Sequence, residues 1–166
     1  FSDKEIITAF LEVRPYIGRC LSELVQKFAD NKDVIMGLIS NEYLRWHDFT
    51  KYVSKRLRED REVVLALVDK DKYCLSYLNE QFLNDREIIL AFLNASGNIV
   101  PVYYRYVNQS LRKDKELGLM AVKLNGNILE FLGDNLKDDE DVVFAATRHD
   151  IRVMFHASMR LRNDRR

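Results

Sequence analysis

The hydrophobic positions of this chain follow a short polar signal that recurs along its whole length. The signal is Asp or Asn, usually Lys or Arg, then Asp or Glu, then two mostly apolar residues, and it returns every 25 to 29 residues. A seventh copy opens at Asp164, and the first six copies begin at Asp3, Asn31, Asp60, Asp85, Asp114 and Asp139. The first side chain can accept amide hydrogens at a helix start, and the acid two residues later suits the positive end of the helix dipole. We therefore interpret each signal as a helix cap and number repeats one to six from these caps.

A second helix is predicted in each repeat, aligned backwards from the next cap. Two columns in it are apolar and four residues apart, which places both on one helical face. Seven residues before the next cap stand Leu24, Val53, Leu78, Val107, Leu132 and Ala157. Three residues before it stand Phe28, Leu57, Phe82, Leu111, Leu136 and Leu161. We expect these columns to form the core.

Further positions predict how the repeats connect and pack. Six residues past most caps is a small residue, Gly37 and Ala66 among them, which would allow a close helix contact. In Asn125-Gly126 the glycine could adopt the left-handed conformation after a helix end. Pro101 fits the first turn of a helix. The longer repeats exceed the shorter ones by about one helical turn, and the extra residues are expected in or before the second helix, for example around Trp46.

The fold expected from this pattern is all-α: an α-solenoid of about six short helix-hairpin repeats of 25–29 residues each. One hairpin buries too little apolar surface to offset its ordering entropy, so neighbours must share a core. We expect residues 1–166 to form a single helical-repeat domain, a fragment of a longer array.

Composition narrows the classes of partner. Lys plus Arg equals Asp plus Glu, 26 of each, so no global field favours nucleic acid or an anionic membrane. No apolar run reaches the roughly 18 residues that a membrane span needs, and we expect an intracellular protein. Cys20 and Cys74 lack metal-site spacing; two small buried side chains are favoured over a disulfide or redox centre.

A family resemblance rests on two strings, Leu111-Arg112-Lys113-Asp114-Lys115-Glu116 and Leu136-Lys137-Asp138-Asp139, with Asn125-Gly126 between them. They resemble the uncharacterised helical repeats of "domain of unknown function" family number 4116. The resemblance covers nearly the whole chain, best over residues 57 to 150, and implies a unit of about fifty residues containing two of our repeats. It implies no activity and no catalytic residues. The chain departs from the pattern in its longer repeats and at Gly118, where an apolar residue is expected.

Candidate chemistry is weighed against ordinary packing. Eight residues before successive caps runs an aromatic column: Tyr52, Tyr77, Tyr106 and Phe131, with His156 at the equivalent place. It could stack single-stranded bases, but a packing role is favoured because no basic column accompanies it. His149 and His156 are separated by a predicted turn, which disfavours a metal pair, and the acids at 138–141 suit helix capping better than calcium binding. We expect no enzyme activity, no cofactor and no metal.

The candidate contact residues are chosen by the charge of the stretch they lie in and by the length of their repeat. The net charge is +4 over residues 45–58, −5 over 130–141 and +4 over 148–166. We expect a non-enzymatic protein–protein interaction module, a scaffold or structural component of a larger assembly. Nucleic-acid binding through the two basic stretches is the alternative. The candidate partner-binding residues are Arg45, Trp46, His47, Lys51 and Lys55, because the second repeat is long and holds the single Trp.

The cation that follows most caps leads to a geometric prediction. A positive charge in the first turn opposes the helix dipole, so it should have an acidic partner. We expect its nitrogen to lie within about 4 Å of a carboxylate of the adjacent repeat.

Overall fold

The computed structural model describes residues 26–40, 49–71, 73–95, 101–148 and 150–163. Every regular element in these ranges is helical. Five helices of eight to ten residues, one directly after each of five caps, are labelled here α1 to α5. They are α1 (Lys32–Ile39), α2 (Arg61–Lys70), α3 (Arg86–Ala95), α4 (Lys115–Leu124) and α5 (Glu140–Thr147). The all-α repeat fold is confirmed.

Each of the five caps makes the predicted hydrogen bond. The Asp60 carboxylate accepts from the amides of Glu62 and Val63, and Asn31 uses its amide oxygen to accept from Val34 at 3.2 Å. The caps of α3, α4 and α5 accept from the backbone in the same way. These bonds satisfy amides that have no partner inside the helix. The recurring signal is therefore a helix start in every repeat from the second to the sixth.

The second half of each repeat differs from the prediction, because it is not one α-helix. A 3₁₀ segment comes first: Phe49–Tyr52, Cys74–Ser76, Pro101–Tyr106, Gly126–Phe131 and Ile151–His156. A short helix follows it: Leu57–Glu59, Glu80–Leu83, Leu111–Lys113, Asp134–Lys137 and Met159–Arg162. Between the two, the backbone is extended at Leu132 and Gly133 in repeat five and at Ala157 in repeat six. The four-residue spacing of the core columns thus spans a break.

The core columns are nonetheless correct within the described residues, outside which Leu24 lies. Val53, Val107 and Leu132 are at most 4% exposed, and Leu57 is fully buried. Phe28 and Leu111 are half-buried exceptions. The extended residues replace a helical turn without rotating these side chains outward, so the apolar pattern is right although the predicted element is wrong.

A second turn signal lies eleven residues after the cap. Asp71, Asn125 and Asp150 each accept a hydrogen bond from the amide two residues later, which starts the 3₁₀ segment. Asp71 is 1% exposed and also accepts from the amide and hydroxyl of buried Thr50, at 3.0 and 2.8 Å. These polar contacts fix where the chain turns back.

The glycine predictions need two corrections. Gly126 does not adopt the left-handed conformation; it is required because an added Cβ would lie 2.4 Å from the carbonyl oxygen of Ala146. Gly37 is not at a close helix contact, because an added Cβ would meet nothing within 4 Å. The tight contact within a helix is instead at Gly118, where the missing apolar side chain is replaced by Leu136, whose Cδ1 lies 2.6 Å from the position of a Cβ.

The residue contacts group into two compact units, Phe1–Asn79 and Glu80–Arg166. In the first unit a buried cluster joins α1 and α2 with the segments between them; it includes Val34, Leu38, Val53 and Leu67. In the second unit α4 packs against α5, and the 3₁₀ segments of repeats four to six pack against one another in order. In repeats two and four the 3₁₀ segment begins further from the cap than in repeats three, five and six, as one of the two predicted placements had it, and Pro101 begins such a segment.

Candidate partner-binding surface

An ion-pair ladder joins successive repeats, as predicted. Lys32, the first residue of α1, lies 2.8 Å from the cap carboxylate Asp60 and 2.7 Å from Glu62. Arg86 of α3 contacts Asp114, at 2.9 Å, and Glu116. In each case the cation that follows one cap meets the cap and the first-turn acid of the next repeat.

A third rung of the ladder joins α4 and α5. Lys115 lies 2.8 Å from Asp139 and 2.7 Å from Asp141. The hydrogen bonds that Lys115 donates to these carboxylates raise its pKa, and the bond that Lys32 donates to Asp60 lowers the pKa of Asp60 in the first unit. The cations that oppose their own helix dipole are therefore stabilised by the next helix.

A backbone ladder runs parallel to the ion pairs. The residue six before a cap donates its amide hydrogen to the carbonyl two residues before the preceding cap. The bonds are Ser54 to Ala29, Asn108 to Leu83, Gly133 to Arg112 and Ser158 to Lys137, all 2.8–2.9 Å. The extended break frees this amide from the helix, which explains why the second half of the repeat is not a continuous α-helix.

Side chains near the break reinforce the same junction. Asp30 accepts from the Ser54 hydroxyl and from Nε of Arg56, at 2.5 and 2.9 Å. Asp138 accepts from Ser158 and Arg160 in the equivalent geometry. These hydrogen bonds, first from the serine and then from the arginine, lower the pKa of both aspartates. Repeats two and six therefore share a Ser-x-Arg motif at this junction.

Several residues of the charged stretches singled out in the sequence take part in such contacts. Arg56 is held by Asp30, Arg160 by Asp138 and Glu140, and Arg152 by Asp150. Arg58 donates to the Tyr77 carbonyl at 3.1 Å. The acidic stretch is likewise divided among a cap and ion pairs. Because Arg56, Arg152 and Arg160 already have acidic partners, the basic stretches offer less free charge to a polyanion than their net charge suggests.

The predicted contact residues lie partly outside the described residues. Arg45, Trp46 and His47 are in the range 41–48, which the structure does not describe. Lys51 and Lys55 are exposed, and the Lys51 ammonium lies 5.0 Å from the ring centroid of Tyr52. The structure therefore places two of the five on the surface of the first unit.

The members of the aromatic column differ in their surroundings. In the aromatic column Tyr52 packs against the core, whereas Tyr106 is 42% exposed and stacks on Tyr103 at a centroid distance of 6.3 Å.

His149 lies outside the described residues. Cys74 is buried, and burial raises the pKa of its thiol. Among the described residues no group of three or more His, Cys, Asp and Glu is arranged to hold a metal ion.

Sequence reasoning missed an exposed apolar surface on repeat six. Four large side chains are 70–76% exposed there: Phe144, Ile151, Phe155 and Met159. They come from α5, the 3₁₀ segment and the short helix that follows it. We call these four residues the repeat-six surface. Exposed apolar residues grouped on one repeat are typical of an interaction site.

A comparison of columns would have identified two of these residues. Nine residues before the next cap, the position of Phe155, the other described repeats have Lys51, Ser76, Arg105 and Glu130. Five before it, the position of Met159, they have Gln26, Lys55, Glu80, Gln109 and Asp134. All are polar, and all but the half-buried Ser76 are exposed. Phe155 and Met159 are thus apolar departures at solvent-facing positions.

Phe144 differs from these two residues. Its column, five past the cap, is apolar throughout, and Met36, Leu65, Leu90 and Leu119 are all half-buried there. Phe144 is 71% exposed. Its exposure therefore reflects the absence of a following repeat within the described residues, whereas that of Phe155 and Met159 belongs to the repeat itself.

A family model matches this chain three times. The model is described as "Domain of unknown function (DUF4116)", and the matches cover residues 31–83, 60–101 and 85–137. The chain belongs to this family. Each match starts at a cap, and the first and third each span two repeats, as the resemblance implied. No curated protein and no solved structure matches the chain.

The family defines the repeat but leaves the surface unassigned. The matches end before Phe144, so the repeat-six surface lies beyond the matched residues. None of the helices in the described ranges has the length and apolar character needed to cross a membrane.

Proposed function

We propose that this chain of the DUF4116 family is a non-enzymatic protein-binding array, a scaffold or structural component of a larger assembly. The observation that carries the proposal is a contrast between columns. Caps and buried positions hold nearly the same chemistry in every described repeat, whereas the exposed column of Lys51, Arg105, Glu130 and Phe155 holds cations, an acid and an aromatic ring.

Such a contrast supports recognition by surface variation. In a repeat protein, each unit contacts mainly its neighbours, and the solvent-facing positions are free to differ because stability does not depend on them. The polar residues that maintain the array form the ion pairs and hydrogen bonds between repeats. The exposed columns then supply contacts for other proteins in an intracellular assembly.

The test is purification of the tagged full-length protein, followed by reconstitution with each co-purifying protein in pure form. We expect at least one defined complex that survives nuclease treatment and is captured reciprocally when the partner carries the tag. A stoichiometric complex by sedimentation and a saturable binding isotherm would support the proposal. Finding no reconstitutable protein complex would overturn it.

Variants in the predicted contact residues sharpen this experiment. Lys55→Glu reverses an exposed charge in the second repeat, and Lys70→Glu makes the same charge change at another exposed lysine. If the Arg45–Lys55 region binds the partner, Lys55→Glu weakens the complex and the control does not. Equal effects of the two variants would exclude that region.

Nucleic-acid binding is the competing outcome. The chain would then bind a mixed-sequence oligonucleotide with an affinity that falls steeply between low and moderate salt, because phosphate contacts release counterions. No detectable binding at low salt would remove this alternative. The pairing of Arg56, Arg152 and Arg160 with carboxylates favours protein partners.

A further inference from the structure

We propose that Phe155 and Met159, two members of the repeat-six surface, form a docking site for an acidic amphipathic helix of a partner protein. This inference rests on the proposed protein-binding function and adds the place and the chemistry of the partner. It begins from the two apolar departures, Phe155 and Met159, which are 76% and 70% exposed.

Another repeat stacked in the observed manner would leave both residues exposed. Repeats four and five are each followed by a further repeat, yet Arg105 and Glu130 in the Phe155 column remain exposed, as do Gln109 and Asp134 in the Met159 column. Stacking covers the column of Phe144 instead. The occupant of Phe155 and Met159 is therefore something other than the next unit of the array.

The charge around the surface defines the sign of the partner. Arg152 pairs with Asp150, and Arg160 pairs with Asp138 and Glu140. Arg148 and Arg162 are exposed and have no carboxylate partner among the described residues. Met159 and Arg162 lie three apart in one short helix, where side chains at that spacing share a face. An apolar centre with cations around it complements an apolar stripe flanked by acids.

The form of the surface favours a protein helix over a lipid bilayer. Proteins that lie on an anionic membrane typically present one long amphipathic helix with a continuous apolar face. Here Phe155 and Met159 come from two short segments of one folded repeat, the 3₁₀ segment and the short helix that follows it. Helix-in-groove recognition uses several such anchors, and Met adapts its shape to an apolar partner.

The experiment measures binding of a labelled peptide to the intact chain by fluorescence anisotropy. The probe is a Leu/Glu amphipathic peptide, about 18 residues long because isolated helices below about 12–15 residues are marginal in water. Two further peptides have Lys in place of Glu, or Gln in place of Leu. We expect saturable binding of the Leu/Glu peptide and at least tenfold weaker binding of the other two, about 1.4 kcal/mol.

The decisive variant is Phe155→Ser combined with Met159→Gln. Both replacements occur naturally in the same columns, as Ser76 and Gln109, so the fold should be retained, and circular dichroism melting checks this. Val102→Gln, at an apolar residue 40% exposed in repeat four, is the matched control. The double variant should bind the Leu/Glu peptide at least about tenfold more weakly than wild type, whereas the control should bind it equally.

Several results would overturn the proposal. They are unchanged affinity in the double variant, equal binding of the Lys peptide, surface-dependent binding to phosphatidylglycerol vesicles without peptide binding, or surface-dependent self-association in sedimentation. A protein partner that binds the double variant as tightly as wild type would exclude this surface and leave the proposed function standing. Failure of both the peptide and the reconstitution would remove both.

Discussion

At the scale of single residues, the cap carboxylates do two tasks at once. Asp114 accepts the amide of Leu117 through one oxygen at 3.0 Å and Nε of Arg86 through the other at 2.9 Å. The first bond starts α4, and the second links α4 to the preceding repeat. Asn31 shows that an amide can perform the capping task alone, because it accepts from Val34 without carrying a charge.

This division leads to a prediction at Asp114. Asp114→Asn should retain the cap and lose the charge that pairs with Arg86, whereas Asp114→Ala should lose both. We expect the alanine variant to be less stable than the asparagine variant by about 1 kcal/mol, the usual contribution of a cap. Urea unfolding followed by circular dichroism measures the difference. Equal stabilities would show that the cap bond does not stabilise α4.

At the scale of the element, the sequence predicted the first helix of repeats two to six well and the second half of these repeats less well. The caps and the paired apolar residues are local signals, and local hydrogen bonds form as they indicate. The break at Gly133 is different, because its amide bonds to Arg112 of the preceding repeat. That bond joins residues far apart in the sequence, so a periodicity within one repeat does not reveal it.

The candidate surface shows the same limit. The charged residues were visible in the sequence, but several of their partners, such as Asp30 for Arg56 and Asp138 for Arg160, lie in the neighbouring repeat. Phe155 and Met159 were missed because an isolated apolar residue in a helical pattern resembles a core residue. Comparison of equivalent columns was the available signal, since the same positions are polar in the other described repeats.

Two glycines provide a matched prediction at this scale. Gly126→Ala would place a Cβ 2.4 Å from the carbonyl oxygen of Ala146, a backbone atom that cannot rotate away. We expect a loss of about 1 to 3 kcal/mol, typical of overpacking. Gly37→Ala, within α1, meets nothing within 4 Å and should stabilise the chain by about 0.5 to 1 kcal/mol, because alanine loses less backbone entropy in a helix.

Thermal and urea unfolding of the two alanine variants check this pair. The opposite signs matter more than the magnitudes, because both substitutions add the same methyl group. If Gly126→Ala were as stable as wild type, the close approach of the 3₁₀ segment to α5 would be contradicted. If Gly37→Ala were destabilised, the space beside α1 would be occupied after all.

At the scale of the whole molecule, the paired carboxylates should make stability depend on pH. Hydrogen bonds from Ser54 and Arg56 lower the pKa of Asp30, the bond from Lys32 lowers that of Asp60, and bonds from Ser158 and Arg160 lower that of Asp138. In the unfolded chain these aspartates have the ordinary carboxyl pKa of about 3.9. It therefore binds more protons than the folded chain as the pH falls, and protonation favours unfolding.

The stabilisation from these three groups is thus fully present above about pH 5 and is lost as the pH falls through their lowered folded pKa values. We expect the urea midpoint to be level near neutral pH and to fall steadily below about pH 5. In Asp30→Asn/Asp60→Asn/Asp138→Asn, the midpoint should be lower at neutral pH and fall less on acidification, because fewer groups couple folding to protons. A triple variant with the same neutral midpoint and the same acid slope as wild type would show that the inter-repeat bonds, although formed, do not stabilise the array.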